Sequence, residues 1–188
     1  MTWEEYTRMF EDILNGRLTN APYDEQSYIG YTALNASRQK RWMKRGQLNQ
    51  ELVGELESLT TKQSWTLITE PWCGDSPHIA PFLFKLADIS LNIDFDINLR
   101  DGNDSMIDNY LTQGGMSIPI LVVKDELGKD LFHWGPRPKD AQTIHVNNLA
   151  DNDRSTEEKK IELQLWYNKD KGEAVQFELL DKIKSLHS

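Results

Sequence analysis

The spacing of hydrophobic positions changes period along the chain, and each change marks a new element. Over the first sixty residues the apolar side chains recur at helical intervals. Trp3, Tyr6, Phe10 and Ile13/Leu14 follow a Thr2/Glu5 pair with capping-box spacing, so a helix opens at once. Gly16 and the stretch Thr19-Asn20-Ala21-Pro22 break it. A second helix is predicted from about 24 to 44, with Tyr28, Tyr31, Leu34 and Trp42 available for packing. Gly46 interrupts it, and a shorter helix through Leu52, Val53, Leu56 and Leu59 follows.

Strand-type runs then appear. Trp65-Thr66-Leu67-Ile68-Thr69 is short, apolar and β-branched, and Ile93, Phe95, Ile97 and Leu99 alternate with Asp94, Asp96 and Asn98. Between them Ile79, Phe82, Leu83 and Leu86 line one face of a helix over 76–90. A short helix carrying Met106, Ile107, Tyr110 and Leu111 is expected next. Ile120-Leu121-Val122-Val123 reads as a buried strand, 125–128 as a turn and 131–134 as the returning strand of a hairpin. Residues 136–154 read as loop with a short helix. Ser155/Glu158 opens a helix through Ile161, Leu165 and Trp166, which Gly172 ends or kinks, and Val175, Leu179, Ile183 and Leu186 continue the helical period. From about residue 65 the order is β-α-β-α-β-β-α. A helix between two strands implies a right-handed parallel crossover, and the hairpin adds an antiparallel edge, so the fold class is an α/β sandwich on a mixed sheet. The chain divides into a helical N-terminal extension, 1–60, packed on a domain spanning 61–188.

Composition narrows the function classes. The net charge of −9 argues against nucleic acid or an anionic membrane as partner. The one basic cluster, Arg38, Lys40, Arg41, Lys44 and Arg45, reads as a solvated helix face. No run approaches a membrane span, and the start lacks the pattern of a leader, which points to the cytosol. The lone cysteine, Cys73, excludes an internal disulfide and speaks against a cysteine-built zinc site. His78 is expected on its helix surface, and no protein-built metal site or cofactor is expected.

Cys73 lies in Trp72-Cys73-Gly74-Asp75-Ser76 at a strand-to-helix junction, followed by Pro81 inside the helix, Ile118-Pro119 before a buried strand and Gly135 after the returning strand. These markers, in this order, resemble the thioredoxin superfamily. The combination of Glu70-Pro71-Trp72-Cys73-Gly74-Asp75 with Trp134-Gly135-Pro136-Arg137-Pro138 is similar to a bacterial branch of thioredoxin-like proteins. The resemblance implies a three-layer thioredoxin-like sandwich, an active-site thiol at Cys73, and a cis peptide at Ile118-Pro119 beside it. It departs from the family pattern at two places. Ser76 replaces the second, resolving cysteine, and Leu67 stands where many thioredoxins carry a buried acid. Both argue against dithiol reductase activity.

The chemistry of these residues leaves several readings open. At a helix N-terminus the Cys73 sulfur meets free N–H groups that favour the thiolate, and Ser76 is placed to donate its hydroxyl to it. Glu70 and Asp75 oppose ionisation. On balance an accessible, partly ionised thiol is expected. Trp72 is core, or a flat platform beside the thiol, or both; Arg137 is a surface residue or a cation that attracts a substrate carboxylate. With Gly74, Asp75, Ile118, Pro119 and Gly135 these residues form the expected substrate-binding set, Cys73 and Ser76 the catalytic pair. The leading reading is a monothiol redox protein exchanging with protein thiols or disulfides, with glutathione or another external thiol resolving the mixed disulfide. The alternative is a redox-inactive binding module. A third reading, a monothiol glutaredoxin sharing an iron–sulfur cluster with glutathione, is weakened by Asp75 and by the lack of a lysine shortly before Cys73.

Overall fold

Three helices form where the first sixty residues repeat at helical spacing: α1 (Trp3–Leu14), α2 (Gln26–Arg45) and α3 (Gln50–Glu57). The computed structural model describes residues 1–186. The capping box is present at α1, where the Thr2 hydroxyl accepts from the Glu5 amide and the Glu5 carboxylate accepts from the Thr2 amide. Trp3, Tyr6, Phe10 and Ile13 are buried along one stripe of it. In α2 the outcome differs from the expected packing. Thr32, Asn35, Gln39 and Trp42 are buried, whereas Tyr31 and Leu34 are exposed. Thr32 donates its hydroxyl to the Tyr28 carbonyl at 2.8 Å, and the Asn35 amide donates to the Pro71 and Cys73 carbonyls at 2.9 and 3.0 Å.

The sheet holds β1 (Gln63–Thr69), β2 (Ile93–Leu99), β3 (Ile120–Asp125) and β4 (Asp130–Trp134) in the order β2-β1-β3-β4. Strands β1 and β2 run parallel through the crossover helix α4 (Ser76–Ala87), while β3 is antiparallel to both β1 and β4. Leu67 pairs with Ile97 and Leu121, Trp65 with Phe95 and Val123, and this face meets α1, α3 and α4 in the main core. Ile79, Phe82, Leu83 and Leu86 of α4 are fully buried, each worth roughly 1.5–3 kcal/mol against exposure. The extension and the sheet therefore share one core.

The opposite face carries Ile68, Ile120 and Val122, which pack with Cys73, Ile107, Tyr110 and Ile118. That layer is thin. The short helix expected around Met106–Leu111 is only a 3-10 turn, Ile107–Asn109.

After β4 the chain forms α5 (Lys139–Ala150), α6 (Thr156–Asp170) and α7 (Glu173–Ser185). Helix α5 lies in the segment expected to be loop with a short helix, occupies most of it, and buries only Ala141 and Asn148. Lys171 caps the end of α6 in a left-handed conformation, and Gly172, φ +80°, precedes α7 so close to α4 that a Cβ would stand 2.3 Å from the Phe82 ring. Among the described residues no helix is long and apolar enough to cross a membrane.

Candidate thiol site

Cys73 sits in the tight turn between β1 and α4. Its amide donates to the Glu70 carbonyl at 3.1 Å and its thiol to the Ile118 carbonyl at 3.4 Å. The Ile118–Pro119 peptide bond is cis, as are Ala21–Pro22 and Gly135–Pro136. Gly135 has φ +130°, and a Cβ there would stand 2.3 Å from the Pro119 carbonyl oxygen, so the end of β4 lies directly against the Pro119 loop. The residues expected to gather around the thiol are thus brought together, though in unequal roles. Trp72, Cys73, Gly74, Asp75, Ile118 and Arg137 border a cavity of about 870 Å³, whereas Ser76, Pro119 and Gly135 support it from behind. Ser76 is buried, and its hydroxyl is hydrogen-bonded to that of Thr69 at 2.5 Å.

The cavity is bounded by two helices. Helix α2 contributes Tyr28, Tyr31 and Leu34 to one wall, and α6 contributes Ile161, Gln164 and Leu165 to another. Both helices are fastened to the thiol loop by hydrogen bonds. Asn35 of α2 holds the Pro71 and Cys73 carbonyls, and Gln164 of α6 donates to the Gly74 carbonyl at 3.3 Å. Tyr167 donates its hydroxyl to Asp75 Oδ1 at 2.9 Å, while Asp75 Oδ2 meets Arg137 Nη2 at 2.7 Å. Arg137 is therefore neither a surface residue nor a free cation, but the partner of a buried carboxylate.

His78, expected on a surface, is buried and bonded at both ring nitrogens. Trp42 Nε1 donates to its Nδ1 at 3.0 Å, which leaves the proton on Nε2 to be donated to Gln164 Oε1 at 2.7 Å. Its ring stacks on Tyr167 at 4.6 Å. This network ties α2, α4 and α6 together under the cavity.

A model of the thioredoxin family matches residues 21–165. The chain belongs to the thioredoxin family. It is similar over 99% of both chains to a crystal structure of a protein of unknown function from Pseudomonas aeruginosa, at 18% identity and a TM-score of 0.57. It is also similar to an HIV epitope scaffold, over 98% of this chain and 99% of that one, at 19% identity and a TM-score of 0.55. These likenesses concern the fold. No curated protein matches the chain by sequence.

Within this thioredoxin fold the electrostatics of the thiol run against the expectation of an accessible, partly ionised cysteine. Cys73 is only 5% exposed. Burial pushes its pKa up to about 11, and the charge of Asp75 pushes the same way. Hydrogen bonding to the Ser76 hydroxyl and to the Ser76 and Asp75 amides lowers it by less. Arg137 does not reverse the balance, since Asp75 already neutralises it. His78 is also held neutral, its pKa brought down to about 4 by burial.

Several residues take roles in the site that the sequence pattern did not show. Arg100 lays its guanidinium 4.5 Å above the Trp72 ring, and Tyr28 meets the same ring edge-on at 5.7 Å, so Trp72 is a platform clamped on two sides. Arg38, read as part of a solvated basic face, borders the cavity instead. Glu70 is buried, with Oε1 accepting the Asp101 amide at 2.9 Å, and burial raises its pKa to about 7. Leu67 is fully buried with no acidic substitute at its own position. Among the described residues no group of three or more His, Cys, Asp or Glu side chains could hold a metal ion.

Proposed function

We propose that this chain is a thioredoxin-fold binding protein whose roofed cavity takes up a small molecule beside a protonated Cys73. The observation that carries this reading is a nearly closed thiol facing a cavity of about 870 Å³, the size of a small-molecule site. Exchange with a folded protein disulfide needs an open approach and a thiolate. Here α2 and α6 stand in the approach, and a pKa of about 11 leaves roughly one thiol in ten thousand ionised at neutral pH.

A second reading, monothiol exchange, is favoured by the position of Cys73 in the cavity wall beside the Ile118 carbonyl. The Cys73 thiolate, its proton lost to water, would attack one sulfur of a disulfide or glutathionylated cysteine and release the other sulfur as a thiolate. Glutathione or another external thiol would then attack the mixed disulfide and free Cys73, a cycle suited to isomerisation or deglutathionylation. A reducing, cytosolic setting fits either reading.

The two are separated by the pH dependence of Cys73 alkylation with iodoacetamide, followed by its rate with oxidised glutathione. The binding reading expects an apparent pKa near 11 and exchange slower than that of an unperturbed thiol of pKa about 8.5. A pKa below that value with rapid mixed-disulfide formation would put exchange first.

A further inference from the structure

The cavity in front of Cys73 has a chemistry that the rest of the chain does not share. The net charge is −9, yet Arg38, Arg100, Arg137 and Lys160 border the cavity against only Asp75 and Glu157. Two of these cations are already neutralised, Arg137 by Asp75 and Arg100 by Asp101. Arg38 and Lys160 meet no carboxylate among the described residues. Arg38 Nη1 donates to Asn35 Oδ1 at 3.2 Å, and Lys160 Nζ donates to the Tyr31 hydroxyl at 2.6 Å, lying 4.7 Å over its ring. Two cations on the wall without a carboxylate partner suit an anion.

The mouth has the opposite character. Tyr31 and Leu34 of α2, Ile161 and Leu165 of α6, and Met116 of the loop before Ile118 are all between 41% and 63% exposed, and all border this one cavity. Scattered apolar side chains on a surface are ordinary, but a set facing one another across a cavity marks a binding site.

We propose that the cavity binds a small amphipathic anion, a medium-chain alkyl carboxylate, with its head drawn to Arg38 and Lys160 and its chain between the apolar side chains of α2 and α6. This rests on the binding reading above and adds the class of molecule. Burial of each methylene in the mouth and a charge-assisted hydrogen bond from Arg38 both add to the affinity. Neither half of the molecule alone would then bind as well as the whole.

The test titrates the full chain with decanoate, decanol and butyrate by calorimetry, below the micelle concentration, and measures iodoacetamide alkylation of Cys73 with each ligand present. Decanoate should bind at least about tenfold more tightly than decanol or butyrate and should slow alkylation. Arg38→Gln and Lys160→Gln should each weaken decanoate severalfold and flatten its salt dependence, with unchanged circular dichroism melts for Lys160→Gln. Leu165→Ser should weaken decanoate without changing the salt slope. Decanol binding as tightly as decanoate, with equal protection of Cys73, would overturn the anion inference and leave the binding reading standing. Decanoate binding that leaves Cys73 unprotected, or no binding by any of the three, would overturn the inference, while the pH dependence of Cys73 alkylation and its rate with oxidised glutathione decide the binding reading separately.

Discussion

Asp75 stands at the N-cap of α4 but gives its carboxylate to Arg137, 2.7 Å away, rather than to its own helix. The pair is almost fully buried, with side chains 8% and 11% exposed. One acidic residue thereby joins the thiol loop to the chain beyond β4 and at the same time raises the Cys73 pKa.

Asp75→Asn should lower that pKa. The substitution removes a negative charge that raises it and leaves the Arg137 cation uncompensated beside the loop, and both changes favour the thiolate. The apparent pKa from alkylation should fall by at least about 1 unit, making the reaction at pH 7 at least about tenfold faster. Urea unfolding should show a loss of about 3 kcal/mol, the cost of stranding one partner of a buried pair. An unchanged alkylation profile would leave burial alone in control of the thiol.

Glu70 should make stability fall as pH rises. Its folded pKa of about 7 lies above the ordinary 4.5, so between these values the native chain holds a proton that the unfolded chain has lost. The stabilisation from Glu70 is complete below pH 4.5, is lost as pH rises through 7, and changes little above that. Glu70→Gln should remove this dependence, so that the stability difference between variant and wild type shifts by up to ~3 kcal/mol between pH 4.5 and 8. A constant difference would mean that Glu70 is ionised throughout.

Gly135→Ala should destabilise the chain by more than about 2 kcal/mol, because the new Cβ has a backbone oxygen, Pro119 O, at 2.3 Å and φ is +130°. Thermal melting checks the loss, and amide exchange should place the loosening around Ile118 and Ile120. A melting temperature within a degree of wild type would show that the two loops separate freely.

Asn35→Ala should loosen the thiol loop from a distance. Two buried carbonyls, Pro71 and Cys73, lose their donor, a cost of about 1–3 kcal/mol. Cys73 should also be alkylated faster at fixed pH with its apparent pKa little changed, since access rather than ionisation is altered. Equal rates would mean that Asn35 only packs.

Much of the architecture was legible from local pattern. The alternation of Ile93, Phe95, Ile97 and Leu99 marked β2, and the Thr2/Glu5 and Ser155/Glu158 pairs marked two helix starts that do carry capping boxes. The markers around Cys73 also located the cavity floor. What could not be read was which face of α2 and α6 turns inward. Both faces of α2 hold residues able to pack, and the decision falls to carbonyls of the thiol loop 36 and 38 residues away that only Asn35 reaches. His78 looked like a surface residue because the groups that satisfy it, Trp42 and Gln164, are distant in sequence. Helix α5 is longer than the short helix expected there because its buried positions, Ala141 and Asn148, make no apolar stripe that would mark its extent. Arg38 was hidden among neighbouring cations, from which periodicity alone cannot single out the one that borders the cavity.

The roof over Cys73 comes from both ends of the chain, and this imposes an order on synthesis. Gln164 and Tyr167 follow the Gly74 and Asp75 groups they hold by 90 and 92 residues. At a translation speed of roughly 5–20 residues per second, a nascent chain leaves the ribosome with its cysteine unroofed for about 5–20 seconds. The thiol is then open to any reagent nearby, and the chain closes over it only when α6 emerges.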